Sequence, residues 1–210
     1  MLLIMTVPGI TSTTTQRTPV GHQRPRAAVG TAVRSISHMA VFAALVAVLG
    51  QVAALPVGPV PVTLQTMGVM LTGAVLGPWR GTGAMLLLNV LTAAGLPLMS
   101  QGAGGLGVYA GPTAGFALGF IPGALVIGLV VHARWPLSWW RTAAAVVLGG
   151  VVVIYACGLP VMAHQLGLTL EQAVSVNLVF LPGDALKAIF AVLVTHSLAR
   201  AYPTAFSRRR

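Results

Sequence analysis

Apolar residues in this chain come in blocks rather than in alternation with polar ones. Six apolar stretches, 36–55, 63–76, 82–95, 113–132, 142–159 and 185–201, are separated by segments rich in Gly, Pro and Arg. A bilayer core takes roughly 20 helical residues, with 17 to 25 tolerated, so the first stretch and the last three predict full membrane spans. The second and third are short and bounded by proline and glycine, the pattern of interrupted helices that transporters use where a cavity must open. Folding 63–95 as a single re-entrant hairpin is the alternative. Residues 11–34 are rich in Ser, Thr, Pro and Arg with almost nothing to bury, which predicts a disordered basic tail over 1–35. The apolar start, residues 1–10, lacks a basic n-region and a small-residue cleavage site, so no signal peptide is expected. The membrane domain then spans 36–201, and 202–210 form a basic C-terminal tail.

Charge placement separates the two topologies. With six crossings and both termini in the cytoplasm, the inside segments hold Arg17, Arg24, Arg26, Arg34, Arg80, Arg134, Arg141, Arg200, Arg208, Arg209 and Arg210, eleven of the 12 basic residues. The outside segments 56–62, 96–112 and 160–183 contain neither Lys nor Arg. This positive-inside asymmetry fixes the orientation and requires an even number of crossings. Composition agrees: 56% of residues are hydrophobic and only 7% charged, against roughly 25% charged in soluble domains. The expected fold is therefore an all-α polytopic membrane protein, a six-transmembrane-helix bundle in contact with the lipid bilayer. A net charge of +10 would ordinarily raise nucleic acid as a partner. Here the arginines sit in tails and short gaps rather than on one amphipathic face, so nucleic acid is excluded.

Glycine spacing predicts close packing. Gly111, Gly115, Gly119 and Gly123 recur every four residues, laying a bare strip along the fourth helix where a neighbour can approach backbone to backbone. Gly73, Gly77 and Gly81 make a shorter strip on the second. On the first helix, Ala40 with Ala44 and Ala43 with Ala47 form small-x-x-x-small pairs, which suit either packing inside the bundle or the approach of a partner helix.

Lys187 is the one basic residue out of reach of the cytoplasm. It follows Asp184 by three residues, which puts both side chains on one face at the outer start of the last helix, where Asp184 also gains from the helix dipole. A charge at depth costs about 2.5 to 3.5 kcal/mol on insertion scales. Two readings account for the pair: an ion pair locking the helix, or a ligand site with an acceptor for donors and an ammonium for an anion. The second is favoured, because a mere lock is replaceable by apolar packing at little loss. Gln65, Gln101, Tyr109, Asn89 and Asn177 are predicted near the same level. Singly each reads as a cap or an interhelical hydrogen bond; jointly they outline an outward-facing polar pocket. The loop Ser100-Gln101-Gly102-Ala103-Gly104-Gly105-Leu106-Gly107 can offer backbone N–H groups to an anion, but it lacks the Gly-Lys-Ser/Thr ending of a nucleotide loop.

Catalytic chemistry finds little support. No two of the five histidines have metal-ligand spacing, so no metal site is expected. Cys157 stands alone, and the two carboxylates, Glu171 and Asp184, fall in different segments. An intramembrane enzyme is the alternative from another class, to be revived by two carboxylates facing one another across a cavity.

The run Pro59-Val60-Pro61-Val62-Thr63-Leu64-Gln65-Thr66, then Leu76-Gly77-Pro78-Trp79-Arg80-Gly81, Gly95-Leu96-Pro97, Gly104-Gly105, Gly111-Pro112-Thr113-Ala114-Gly115-Phe116 and Leu181-Pro182-Gly183-Asp184-Ala185-Leu186-Lys187 resembles the BioY family over about 36–201. These are the biotin-binding S components of energy-coupling factor (ECF) transporters. The resemblance implies a six-helix subunit of the prokaryotic cell membrane that binds biotin outside and works with a transmembrane coupling subunit and two ATPase subunits. It needs no cofactor of its own, since ATP is used by the partners. The family's pocket carries over to Asp184 and Lys187, and then to Gln65 and the Gly104-Gly105 loop. The small-residue face of the first helix, Ala40, Ala43, Ala44 and Ala47, becomes the coupling interface. Where the family pattern has an aromatic residue near Leu88, this chain has Asn89, either a local substitute or a helix contact. An S component for thiamine or riboflavin is the nearest alternative, but flat aromatic ligands want stacking side chains, and only 6% of the chain is aromatic.

Overall fold

A computed structural model describes residues 25–52 and 63–206. The expected N-terminal tail up to residue 24, the Pro59-Val60-Pro61-Val62 part of the motif and the last four residues lie outside them. Every regular element among the described residues is a helix: α1 Pro25–Gln51, α2 Gln65–Leu76, α3 Pro78–Ala93, α4 Ala114–Val131, α5 Trp139–Val147, α6 Ile154–Leu166, α7 Leu170–Asn177, α8 Leu181–Ala201 and α9 Pro203–Phe206, with short 3-10 turns at Ser100–Gly102, Leu106–Ala110 and Leu178–Phe180. A π-helical turn, Leu148–Val153, joins α5 to α6. Among the described residues four helical runs are long and apolar enough to cross a membrane: Ala32–Gln51, Ala114–Val131, Trp139–Leu166 and Leu170–Ala201. At 12 residues α2 reaches about 18 Å, short of a bilayer core.

Helix ends depart from the sequence expectation in a consistent direction. The fifth stretch, expected over 142–159, is one helical run from Trp139 to Leu166, and the sixth, expected from 185, is helical from Leu170 onward. The outer segment expected over 160–183 therefore shrinks to a turn around Gly167-Leu168-Thr169. Pro160 lies inside α6 and Pro122 inside α4, as membrane-type helices allow when neighbouring helices cover the freed carbonyl. Gly167, left-handed at φ 64°, ends α6, and Thr169 with Gln172 forms a reciprocal capping box that starts α7. At the other end α1 begins at Pro25, ahead of the boundary expected at 36, with proline preset for a first turn. Beyond 201, where a tail was expected, α9 folds back and Phe206 stacks on His132 at 5.9 Å.

Packing centres on α4, which touches α2, α3 and α6. The predicted glycine strip is realised at three of its four positions. A Cβ on Gly115 would sit 2.3 Å from the Cys157 carbonyl oxygen, one on Gly119 3.0 Å from the Cys157 Cβ, and one on Gly123 2.8 Å from the Gly149 carbonyl. Gly111 precedes α4 and meets only its own turn. Gly77, at φ 79°, makes the one-residue corner from α2 into α3, a conformation that other residues adopt only under strain. Ala43, Val46, Leu88, Phe116, Phe120, Ile154 and Met162 fill one apolar cluster; Met70, Ile127, Val131, Val146 and Ala191 fill a second. Away from both, His196 stacks on Trp139 at 3.8 Å and meets Thr142 Oγ1 at 3.2 Å, tying α8 to α5.

Candidate ligand-binding site

Where α2, α4, α6, α7 and α8 diverge, the first apolar cluster gives way to a cavity open at one side. Phe116, Phe120, Phe180, Met99 and Val108 give it apolar walls, and Asp184 and Lys187 are the charged residues lining it.

The charged pair sits deeper in its helix than expected. Because the run is helical from Leu170, Asp184 lies within a continuous stretch rather than at a free outer end. Both side chains are buried, at 5% and 7% exposure. Lys187 Nζ donates to Asp184 Oδ1 at 2.9 Å, and the Tyr155 hydroxyl donates to Asp184 Oδ2 at 2.5 Å. Both carboxylate oxygens are thus engaged within the protein, while the ammonium keeps two N–H donors. A buried ion pair satisfied in this way is tolerated; a lone charge there would be costly.

Tyr155 was not legible as a site residue, since it stands in an apolar run with no partner in sequence. Its position depends on the π turn just before it. Gly149 and Gly150 open that turn where α4 and α2 press on it: added Cβ atoms would lie 2.5 Å from Ile127 Cγ1 and 2.6 Å from Met70 Cγ. A π turn inserts one residue into the helical repeat and rotates everything after it. Phe116 then holds the Tyr155 ring edge-to-face at 5.9 Å and 88°. The only hint in sequence was the rule that a buried tyrosine finds a partner for its hydroxyl.

Of the residues singled out in sequence, Gln65, Asn177, Asp184 and Lys187 line the cavity; Asn89, Tyr109, Gly104 and Gly105 do not. Gln65 opens α2 and donates through Nε2 to Leu98 O at 3.3 Å and Met99 Sδ at 3.5 Å, tying the loop after α3 to the mouth. Asn177 ends α7 instead of lying in a loop, and its Nδ2 is held by Ala173 O at 2.8 Å. Asn89 is occupied within the bundle: Nδ2 donates to Met85 O at 2.9 Å and Ala117 O at 3.2 Å, and Oδ1 accepts from Tyr109 at 3.0 Å. It pins α3 to α4, and burial raises the Tyr109 phenol above its ordinary value, so that it stays a donor. The two glycines serve the loop itself. A Cβ on Gly104 would meet the Leu96 carbonyl oxygen at 2.4 Å, and the Gly105 N–H is taken by Thr92 O at 2.7 Å. On α1, Ala43 and Ala47 are buried in the bundle core while Ala40 and Ala44 are exposed, so the four alanines do not share one surface.

Two N–H donors on a buried ammonium, amide and hydroxyl groups around it and aromatic walls suit a small amphipathic organic anion. The profile of the BioY family matches residues 17–204. The chain belongs to the BioY family. Among BioY relatives, the biotin transporter BioY of Rhodobacter capsulatus is 40% identical over 188 residues, covering 84% of this chain and 98% of that protein. The biotin transporter BioY of Rhizobium etli is 41% identical over 180 residues, covering 81% and 95%. The 2.1 Å crystal structure of the S-component for biotin from an ECF-type ABC transporter superposes with a TM-score of 0.77 at 29% identity, covering 85% of this chain and 98% of that one. In this chain the paired helices α2 and α3 bring Gln65 to the cavity mouth and Asn89 to the α4 contact.

Proposed function

We propose that this chain is the biotin-capturing subunit of an ECF transporter in a prokaryotic cell membrane. It is a transport protein and not an enzyme: its relatives are transporters, and Glu171 is exposed and does not line the cavity that holds Asp184. The observation that carries the reading is the buried Lys187 with two free donors, in an aromatic-walled cavity, in a chain 40% identical to a named biotin transporter. Biotin's carboxylate suits that ammonium, since Asp184 already has both oxygens bound. Its ureido N–H groups suit the amide oxygens of Gln65 and Asn177, whose amide N–H groups are already donated within the protein. Asn89, Tyr109, Gly104 and Gly105 act one step back, fixing α3, α4 and the loop that shape the pocket.

The bundle spans the membrane six times, with the arginine-bearing ends in the cytoplasm and the cavity outward. In this arrangement α2 and α3 cross as a short pair shielded by α1, α4 and α8. Delivery inward uses a transmembrane coupling subunit and two ATPases, and Ala40 with Ala44 forms the exposed part of α1 that the coupling subunit grips. Thermal unfolding of the purified protein with biotin, thiamine and riboflavin tests the ligand. A ligand at 100 times its Kd adds about 2.7 kcal/mol, so biotin raises the Tm while the other two leave it unchanged. Stabilisation by thiamine or riboflavin and not by biotin overturns the assignment.

A further inference from the structure

Threonines inside the helices of this chain close their hydroxyls on the carbonyl four residues back. Thr72 donates to Gly68 at 2.7 Å, Thr82 to Pro78 at 2.6 Å, Thr92 to Leu88 at 2.8 Å, Thr142 to Ser138 at 3.0 Å and Thr195 to Ala191 at 2.7 Å. Thr66 is different. It stands in the first turn of α2, before which there is no helical turn among the described residues to accept from it. Its Oγ1 is buried and has no hydrogen-bond partner, and the residue lines the cavity beside Gln65, Asp184 and Lys187. Among the described residues the other buried side-chain nitrogen or oxygen in this condition is Arg141 Nε, which does not line the cavity. A buried hydroxyl left unsatisfied is destabilising, so it is unusual unless something else completes it. A helical threonine has two accessible χ1 rotamers, the choice normally settled by the back-bond that Thr66 lacks. The hydroxyl thus stands at the cavity without the back-bond that holds the other helical threonines.

We propose that the Thr66 hydroxyl is a recognition group of this site, donating its missing hydrogen bond to an oxygen of the bound ligand. The partner is an acceptor because the first turn of α2 presents backbone N–H groups and the positive end of its dipole to the same region, which favours negative or partly negative atoms. On the reading that the ligand is biotin, on which this inference rests, two oxygens qualify: the ureido carbonyl and the carboxylate.

Two substitutions separate recognition from packing. Thr66→Val keeps the shape and removes the hydroxyl; Thr66→Ser keeps the hydroxyl. With Thr66→Val, the Kd for biotin rises about five- to tenfold, the worth of one neutral hydrogen bond, while the ligand-free protein keeps its Tm or gains a little because an unsatisfied buried group is gone. Thr66→Ser binds within about twofold of the parent. The Val penalty is then measured with 2-iminobiotin, which lacks the ureido oxygen, and with the alcohol analogue of biotin, which lacks the carboxylate; it disappears with the one whose missing oxygen Thr66 contacts. An unchanged Kd in Thr66→Val, a Thr66→Ser variant as weak as Thr66→Val, a ligand-free Tm that falls in step with affinity, or a penalty that survives with both analogues overturns the proposal. Failure of the parent protein to bind biotin at all is a separate result, which sinks the biotin assignment instead.

Discussion

Removing Lys187 tests whether the buried pair serves the fold, the ligand or both. In Lys187→Met the side-chain volume is kept, but Asp184, 5% exposed, loses the ammonium at 2.9 Å and retains the Tyr155 hydroxyl on its other oxygen. Breaking a buried pair from one side costs about 3 to 5 kcal/mol, and the surviving hydrogen bond holds the loss near the lower end. For a chain of this size about 3 kcal/mol corresponds to a Tm decrease of roughly 6 to 12 °C. The double variant Asp184→Asn with Lys187→Met removes both charges, keeps an acceptor for Tyr155 and returns stability to within about 1 kcal/mol of the parent, since a buried pair is close to neutral against a matched apolar one. Binding follows a different course. Neither variant has an ammonium for the ligand, so both lose at least about 2 kcal/mol of affinity, close to a thirtyfold rise in Kd. The measurements are thermal unfolding of the ligand-free protein in detergent and calorimetric titration with biotin. Normal biotin affinity in the stable double variant would show that the pair only locks α8, and the site assigned to Lys187 would be wrong.

Three further expectations come from other parts of the molecule. Gly115→Ala places a Cβ 2.3 Å from the Cys157 carbonyl oxygen and forces α4 from α6, costing about 1 to 3 kcal/mol and weakening biotin binding through Phe116 and Tyr155, whereas Gly107→Ala, with nothing within 4 Å, leaves Tm and Kd unchanged; equal behaviour of the two variants contradicts the close α4–α6 contact. Ala40→Trp, at an exposed position, retains biotin binding but loses co-purification with the coupling module, while Ala43→Trp, inside the core, loses expression and folding together; unimpaired uptake by Ala40→Trp would move the coupling surface elsewhere. A single cysteine introduced at Gln101 in a Cys157→Ser background is labelled by an impermeant reagent from outside intact cells and one introduced at Arg80 is not, and labelling at position 80 reverses the orientation.

Features that sum over local sequence were legible without coordinates. Apolar run length depends on residue composition alone, and it located the helical regions; the order of the arginines predicts an orientation, because each counts independently of its neighbours. The ion pair was also local, since a spacing of three on one helix needs no knowledge of any other element. Helix ends were less legible: Pro160 and Pro182 read as loop signals, yet both lie within helical runs, because the cost of a lost backbone donor is set by what packs around it. The four alanines of α1 looked equivalent by spacing, and only the positions of α2 and α3 decided that Ala43 and Ala47 face inward while Ala40 and Ala44 do not.

For the site, sequence named polar residues but not which of them share a cavity. Asn89 and Asn177 are the same residue type in apolar surroundings. One is used up between α3 and α4 and the other lines the pocket, a distinction made by the rotation of each helix against its neighbours. Tyr155 reaches Asp184 only because a π turn at two glycines shifts the phase of α6, and a phase shift is invisible to any count of apolar residues. Hydropathy thus set the fold class, since it acts residue by residue through the surrounding solvent. The cavity and its hydrogen-bond partners were decided by the tertiary structure, because they depend on the relative rotation of five helices that no single segment encodes.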